Sequence, residues 1–208
     1  TRQAHYLCEP AQACIANNDR PGALALLNHA VATAPEAARA RIDLARLQHM
    51  MGDSGAALGT LQALSRQAPA AVPLATPLML ETAIAAGQAP EMQALLQAHY
   101  AQAPSLDVLE GIVALQALNP TDAATARQWY VRHLDKEQSL VAAAKWLAEE
   151  KLEHEEFHPQ IQRALDHAVK PLTRYRCAAC GFEARQHFWQ CPGCQTWDSY
   201  PARRVEEL

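Results

Sequence analysis

Four cysteines toward one end of the chain stand in two C-x-x-C pairs, Cys177-Ala-Ala-Cys180 and Cys191-Pro-Gly-Cys194, ten residues apart. The turn inside each pair brings two thiolates onto one ion, so two such knuckles supply a tetrahedral four-sulfur site. Gly181 after the first pair and Gly193 within the second provide backbone freedom for tight turns, and Pro192 presets the second one. Four sulfurs suit zinc and iron alike. With every position taken by cysteine, no place is left for water or substrate, which points to structure or one-electron transfer rather than metal-centred hydrolysis.

A second stretch, His154-Glu155-Glu156-Phe157-His158, matches the H-E-x-x-H pattern of helix-borne catalytic zinc. Its surroundings argue against catalysis. Pro159 biases His158 away from helical dihedrals and sets it at a helix end. Glu149, Glu150, Glu153 and Glu156 make the stretch wet and charged, and no convincing third ligand follows. We read it as a solvated acidic segment, and the chain as a non-enzyme. Cys8 and Cys14 stand apart among apolar neighbours and read as small core residues.

The elements that position the cysteines begin with a repeat. At an offset of 34, Ala11 falls on Ala45, Asp19 on Asp53, Ala23 on Ala57, Leu24 on Leu58, Leu27 on Leu61 and Pro35 on Pro69. At 35, Gly52 maps to Gly87, Leu61 to Leu96 and Pro69 to Pro104, and residues 119–138 offer a fourth copy. Helix, polar turn, helix and Ala-Pro stop at this period is the mark of the tetratricopeptide repeat. Small residues let paired helices approach, and leucines fill the seam. Pro10, Pro73 and Pro77 are expected to kink or delay the first helices of their units. A further helical pair is expected near 139–151 and 156–168. Such stacks present a concave face, which by phase includes His5, Gln12, Arg39, Ile42, Arg46 and His49; Arg39, Arg46 and His49 are the partner-binding candidates.

Composition agrees with a helical chain: half of it is hydrophobic, only 6% is aromatic, and it is rich in alanine. The formal charge of -4 gives no basic excess to draw nucleic acid. Six of the twelve aromatics lie in the last 36 residues, where a small module needs an ion and aromatic packing to close. The expected architecture is a mainly α tetratricopeptide-repeat superhelical solenoid over 1–170. A small rubredoxin-like or zinc-ribbon β module follows at 171–208, packed near Trp129, Tyr130 and Trp146.

Degenerate repeats followed by "YRCAACGF…FWQCPGCQTWDSY" resemble the lipopolysaccharide assembly protein B family of Gram-negative bacteria. The resemblance implies a rubredoxin-type ion, iron in that family, on Cys177, Cys180, Cys191 and Cys194. It implies an N-terminal membrane anchor in the full-length protein and a place on the cytoplasmic face of the inner membrane. It also implies an adaptor that restrains lipopolysaccharide synthesis by promoting degradation of the lipid A pathway deacetylase by a membrane-bound AAA+ metalloprotease. The alternative is a rubredoxin-like electron carrier with a repeat-based docking arm.

Overall fold

The 34-residue period resolves into helix pairs in the computed structural model, which describes residues 2–119, 125, 127–148 and 155–208. The first three pairs are α1 (Arg2–Ala16) with α2 (Arg20–Thr33), α3 (Ala38–Met50) with α4 (Ser54–Gln67), and α5 (Val72–Ala85) with α6 (Ala89–Gln102). Beyond them lie α7 (Leu106–Ala117), α8 (Gln128–Leu134), α9 (Leu140–Ala148) and α10 (His158–Val169). The fourth repeat copy falls partly outside the described residues. Two strands close the order, β1 (Tyr175–Arg176) and β2 (Glu183–Ala184). Thr1–Leu95 and Leu96–Leu208 form two compact units.

Each repeat column has a physical job. Asp19 and Asp53 are N-caps: their Oδ1 atoms accept the amides of Gly22 and Ala56 at 3.0 and 2.9 Å, satisfying first-turn donors that a helix cannot. The residue just before them in the turn is left-handed in all three copies: Asn18 (φ 60°), Gly52 (φ 86°) and Gly87 (φ 68°). That conformation closes the preceding helix through a six-to-one bond, from Asp19 N to Cys14 O, Asp53 N to Gln48 O and Gln88 N to Ala83 O at 2.8–3.0 Å. Ala11, Ala45, Ala23 and Ala57 are fully buried where helices meet, as are Leu27, Leu61 and Leu96. Each such leucine contributes about 1.5–3 kcal/mol of burial. The helices end two residues before Pro35, Pro69 and Pro104.

The internal prolines act less than expected. Pro10 and Pro77 sit inside α1 and α5, which run unbroken through them, while Pro73 lies in the first turn of α5. A short 3-10 turn, Pro69–Ala71, leads into α5. Among the described residues no single helix is long and apolar enough to cross a membrane.

Candidate metal centre and its anchorage

The metal module is built from two matching knuckles. In the first, the Gly181 amide donates to Cys177 O at 2.9 Å, and in the second the Gln195 amide donates to Cys191 O at 2.8 Å. Both closing residues are left-handed, Gly181 at φ 78° and Gln195 at φ 58°. The second turn thus takes its unusual backbone from Gln195, not from Gly193 as the sequence suggests. The strands pair antiparallel, Tyr175 with Ala184 and Arg176 with Glu183, and a single bridge joins Gln190 to Trp197. The Cys177 amide also reaches Phe182 O, and the Cys191 amide reaches Thr196 O.

These turns bring the four Sγ atoms within 4.8 Å of one another. Cys177 lies 3.8 Å from Cys194, and Cys180 lies 3.7 Å from Cys191. A tetrahedron with metal–sulfur bonds of about 2.3 Å has edges of about 3.8 Å. The separations are those of a four-thiolate ion site, too long for disulfides, and they fit zinc or iron. Cys177 and Cys191 are buried while Cys180 and Cys194 are exposed. The Ser199 hydroxyl, 3.2 Å from Cys177 Sγ, favours the thiolate and brings that thiol down to about 6. Hydrogen bonding by Thr196 likewise lowers Cys194. The Phe182 amide pulls Cys180 down, but burial and the three neighbouring sulfurs push it up to about 12. Four negative sulfurs so close need a cation among them.

His187 sits at the centre of the module's aromatic packing. Its ring centroid lies 4.7 Å from Trp189, 5.6 Å from Tyr175 and 5.9 Å from Tyr200, all edge-on. Burial lowers its proton affinity, and its Nε2 is 3.1 Å from Tyr200 O. Tyr200 in turn donates its hydroxyl to Phe182 O at 3.1 Å.

The tail beyond the last cysteine fastens this module within the Leu96–Leu208 unit. The Val205 amide donates to Arg174 O at 2.7 Å and the Glu206 amide to Leu172 O at 3.2 Å. Arg204 lies 4.2 Å over the Tyr175 ring and forks onto Asp107 of α7, with Nη2 2.7 Å from Oδ1 and Nε 3.0 Å from Oδ2. Two adjacent carboxylates then cap two different helices. Glu207 Oε1 accepts the Leu106 amide at the start of α7 at 2.9 Å. Glu206 accepts the Ser139 hydroxyl at 2.7 Å and the Leu140 and Val141 amides opening α9 at 2.6 and 3.1 Å. Negative charge at helix N-termini is the favourable arrangement. The seat is therefore α7 and the start of α9. Of the aromatics expected to receive the module, Trp129 is turned edge-on to Tyr100 at 5.7 Å and Tyr130 is buried. Sequence reasoning missed this clamp, because most of its partners are backbone amides far away in the chain.

Other candidates fall differently. His154 and Glu149, Glu150 and Glu153 lie outside the described residues. His158 stands at a helix end, as the first residue of α10, with Pro159 in the first turn, and His158 Nε2 is 3.0 Å from Leu147 O. Among the described residues the four cysteines are the one group of three or more ligating side chains placed for a metal. Cys8 is fully buried, and burial pushes its thiol up to about 12; Cys14 is half-buried. On the first helices, Arg39 is not a free surface cation: it is 9% exposed and paired with Glu9 at 2.8 Å and Asp43 at 3.5 Å. His5 and Ile42 are buried as well. Arg46 and Gln12 are exposed, and half-buried His49 lies 3.0 Å from the Ser54 hydroxyl through Nδ1.

A family model described as a rubredoxin metal binding domain matches residues 175–200, and a tetratricopeptide repeat model matches residues 15–79. Lipopolysaccharide assembly protein B of Escherichia coli (strain K12) is 25% identical over 212 residues, covering 99% of this chain and 54% of that protein. The protein of the same name from Haemophilus influenzae is 31% identical over 39 residues, 19% of this chain and 10% of that protein. The chain thus spans about half the length of the Escherichia coli relative. With a repeat model matched in its first half, a four-sulfur model matched at residues 175–200 and a relative aligned along 99% of its length, this chain is similar to lipopolysaccharide assembly protein B throughout.

Proposed function

We propose that the chain is a non-enzymatic adaptor in lipopolysaccharide assembly, with a repeat domain over 1–170 and a metal-stapled module over 171–208. It brings the lipid A pathway deacetylase to a membrane-bound AAA+ metalloprotease on the cytoplasmic face of the inner membrane, and so restrains lipid A synthesis. The observation that carries the reading is the alignment of 99% of the chain with a protein named for lipopolysaccharide assembly. Two structural features support it. Helix-pair repeats serve as docking surfaces, and Arg46, the exposed member of the Arg39, Arg46 and His49 set, is the contact we propose for a partner. The four-thiolate site offers no open coordination position, so its ion, iron or zinc, holds the module in shape. The relatives' names do not favour an electron carrier.

The test follows deacetylase levels in cells carrying wild type or Cys177→Ser/Cys180→Ser. The adaptor reading expects deacetylase to accumulate in the variant and expects zinc to substitute for iron. Unchanged deacetylase turnover would remove the module from the mechanism, and activity with iron alone would point to electron transfer.

A further inference from the structure

A cleft of about 600 Å³ lies within the Leu96–Leu208 unit, where the module and its tail meet α7 and α9. Five basic side chains line it, Lys145, Lys170, Arg174, Arg185 and Arg204, against two acidic ones, Asp107 and Glu110. Both acids are already engaged. Asp107 is held by the Arg204 fork and Glu110 by Lys145 at 2.5 Å. Glu183 also faces Arg174, but only at 3.7 Å, and its other oxygen is taken by Arg176 at 2.8 Å. Lys170 and Arg185 have no ion pair among the described residues. Lys170 and Arg185 therefore line one concavity with their charge uncompensated, beside an Arg174 held only loosely by Glu183, in a chain whose net charge is -4. A concave wall focuses such a field toward an anion. Leu106 and Val141 supply apolar lining beside it.

We propose that this cleft binds a phosphate-bearing anion, a phosphomonoester or diphosphate group. Three points select that chemistry. A phosphomonoester carries about -1.5 to -2 charge at neutral pH, which matches two free cations and a loosely paired third better than a single carboxylate does. Arginine forks fit phosphate oxygens two at a time. The volume holds the charged group together with several attached atoms, within the usual range for small-ligand sites. The group can belong to a small molecule or to a lipid headgroup, and the recognition is the same.

The experiment uses the metal-loaded full chain and inorganic pyrophosphate, titrated by calorimetry at low ionic strength. Saturable one-to-one binding is expected, weakened by added salt and weakened at least about ten-fold in Lys170→Gln/Arg185→Gln. Both side chains are exposed, so the variant keeps its fold. Arg66→Gln, at an exposed arginine that is not part of the cleft lining, should bind as wild type does. A second arm measures cosedimentation with phosphatidylcholine vesicles with and without phosphatidic acid. Binding to the phosphatidic acid vesicles that pyrophosphate competes away supports the site and assigns a headgroup. Pyrophosphate binding without vesicle binding supports it and assigns a soluble phosphate. Failure of both probes to bind at millimolar concentration, or equal binding by the double variant, would overturn the proposal.

Discussion

Changing Glu206 to Gln tests the tail clamp at a single oxygen. The carboxylate accepts the Ser139 hydroxyl and the amides of Leu140 and Val141. Those amides lie in the first turn of α9, where no intrahelical carbonyl can serve them, so their protection from exchange rests on this side chain. Hydrogen bonds to a charged acceptor contribute about 1.5–3 kcal/mol and neutral ones about 0.5–1.5. The isosteric amide keeps one acceptor oxygen but loses the charge and turns an NH2 toward donors. Glu206 is half-exposed, so solvent screening takes part of the difference. A net loss of about 1–2 kcal/mol remains, or roughly a 5–30-fold rise in opening. Hydrogen exchange at the buried Val141 amide reads it directly. Glu207→Gln should loosen the Leu106 amide of α7 instead, because the adjacent carboxylates address different helices. Val141 exchange unchanged within about two-fold in Glu206→Gln, or the two variants giving one pattern, would refute the assignment.

Metal removal should act at the same places. Elemental analysis is expected to find one ion per chain, and chelation should raise exchange at Cys177, Ala178 and Val141 while leaving the core amides of α1–α4 protected. The left-handed turns predict a sharp pair: Gly52→Ala, where a Cβ meets open space, costs about 1 kcal/mol from backbone alone, and Asn18→Val costs about 1–2, both by urea denaturation. Burial lowers His133, whose Nδ1 is 2.6 Å from the Tyr100 hydroxyl. Its contribution is fully present above the unfolded histidine value of about 6.5 and is lost as pH falls through the lower folded value. Denaturation midpoints at neutral and mildly acidic pH should therefore differ less in His133→Gln than in wild type. His158→Ala should leave partner docking unchanged, since its Nε2 is turned to the Leu147 carbonyl.

The parts legible in the sequence are those whose cause is local or periodic. The Asp19 and Asp53 columns are caps because a carboxylate three residues before an amide is a short-range device. The cysteine pairs are read from spacing because each knuckle closes on itself. Arg39 shows the limit: the phase of α3 puts it on the expected face, yet Glu9 of α1 and Asp43 draw it inward, and no period announces a partner 30 residues away. Asn18 does not stand out in the repeat because it shares a backbone conformation, not a residue type, with Gly52 and Gly87. Arg204, Glu206 and Glu207 were illegible for a stronger reason. Their partners include side chains at 107 and 139 and amides at 106, 140 and 141, and the amides, being backbone, leave no mark on any one-letter code.

The same distances explain why an ion with no open coordination site can still matter to function. An ion held by the four sulfurs would fix Cys191 and Cys194 against Cys177 and Cys180. The backbone next to those ligands is tied across the module, by the Ala178 amide to Ser199 O at 2.7 Å and by the Tyr200 hydroxyl to Phe182 O. Four residues beyond Tyr200, Arg204 reaches Asp107, and the two glutamates behind it reach the starts of α7 and α9. Without the ion, four thiols at 3.7–3.8 Å have no attraction strong enough to hold two knuckles together. The tail then loses the platform that aims its carboxylates, and two helix starts lose their caps. Any ion that holds four thiolates tetrahedrally keeps that path intact, so the geometry asks for a charge and a radius and makes no demand on redox chemistry.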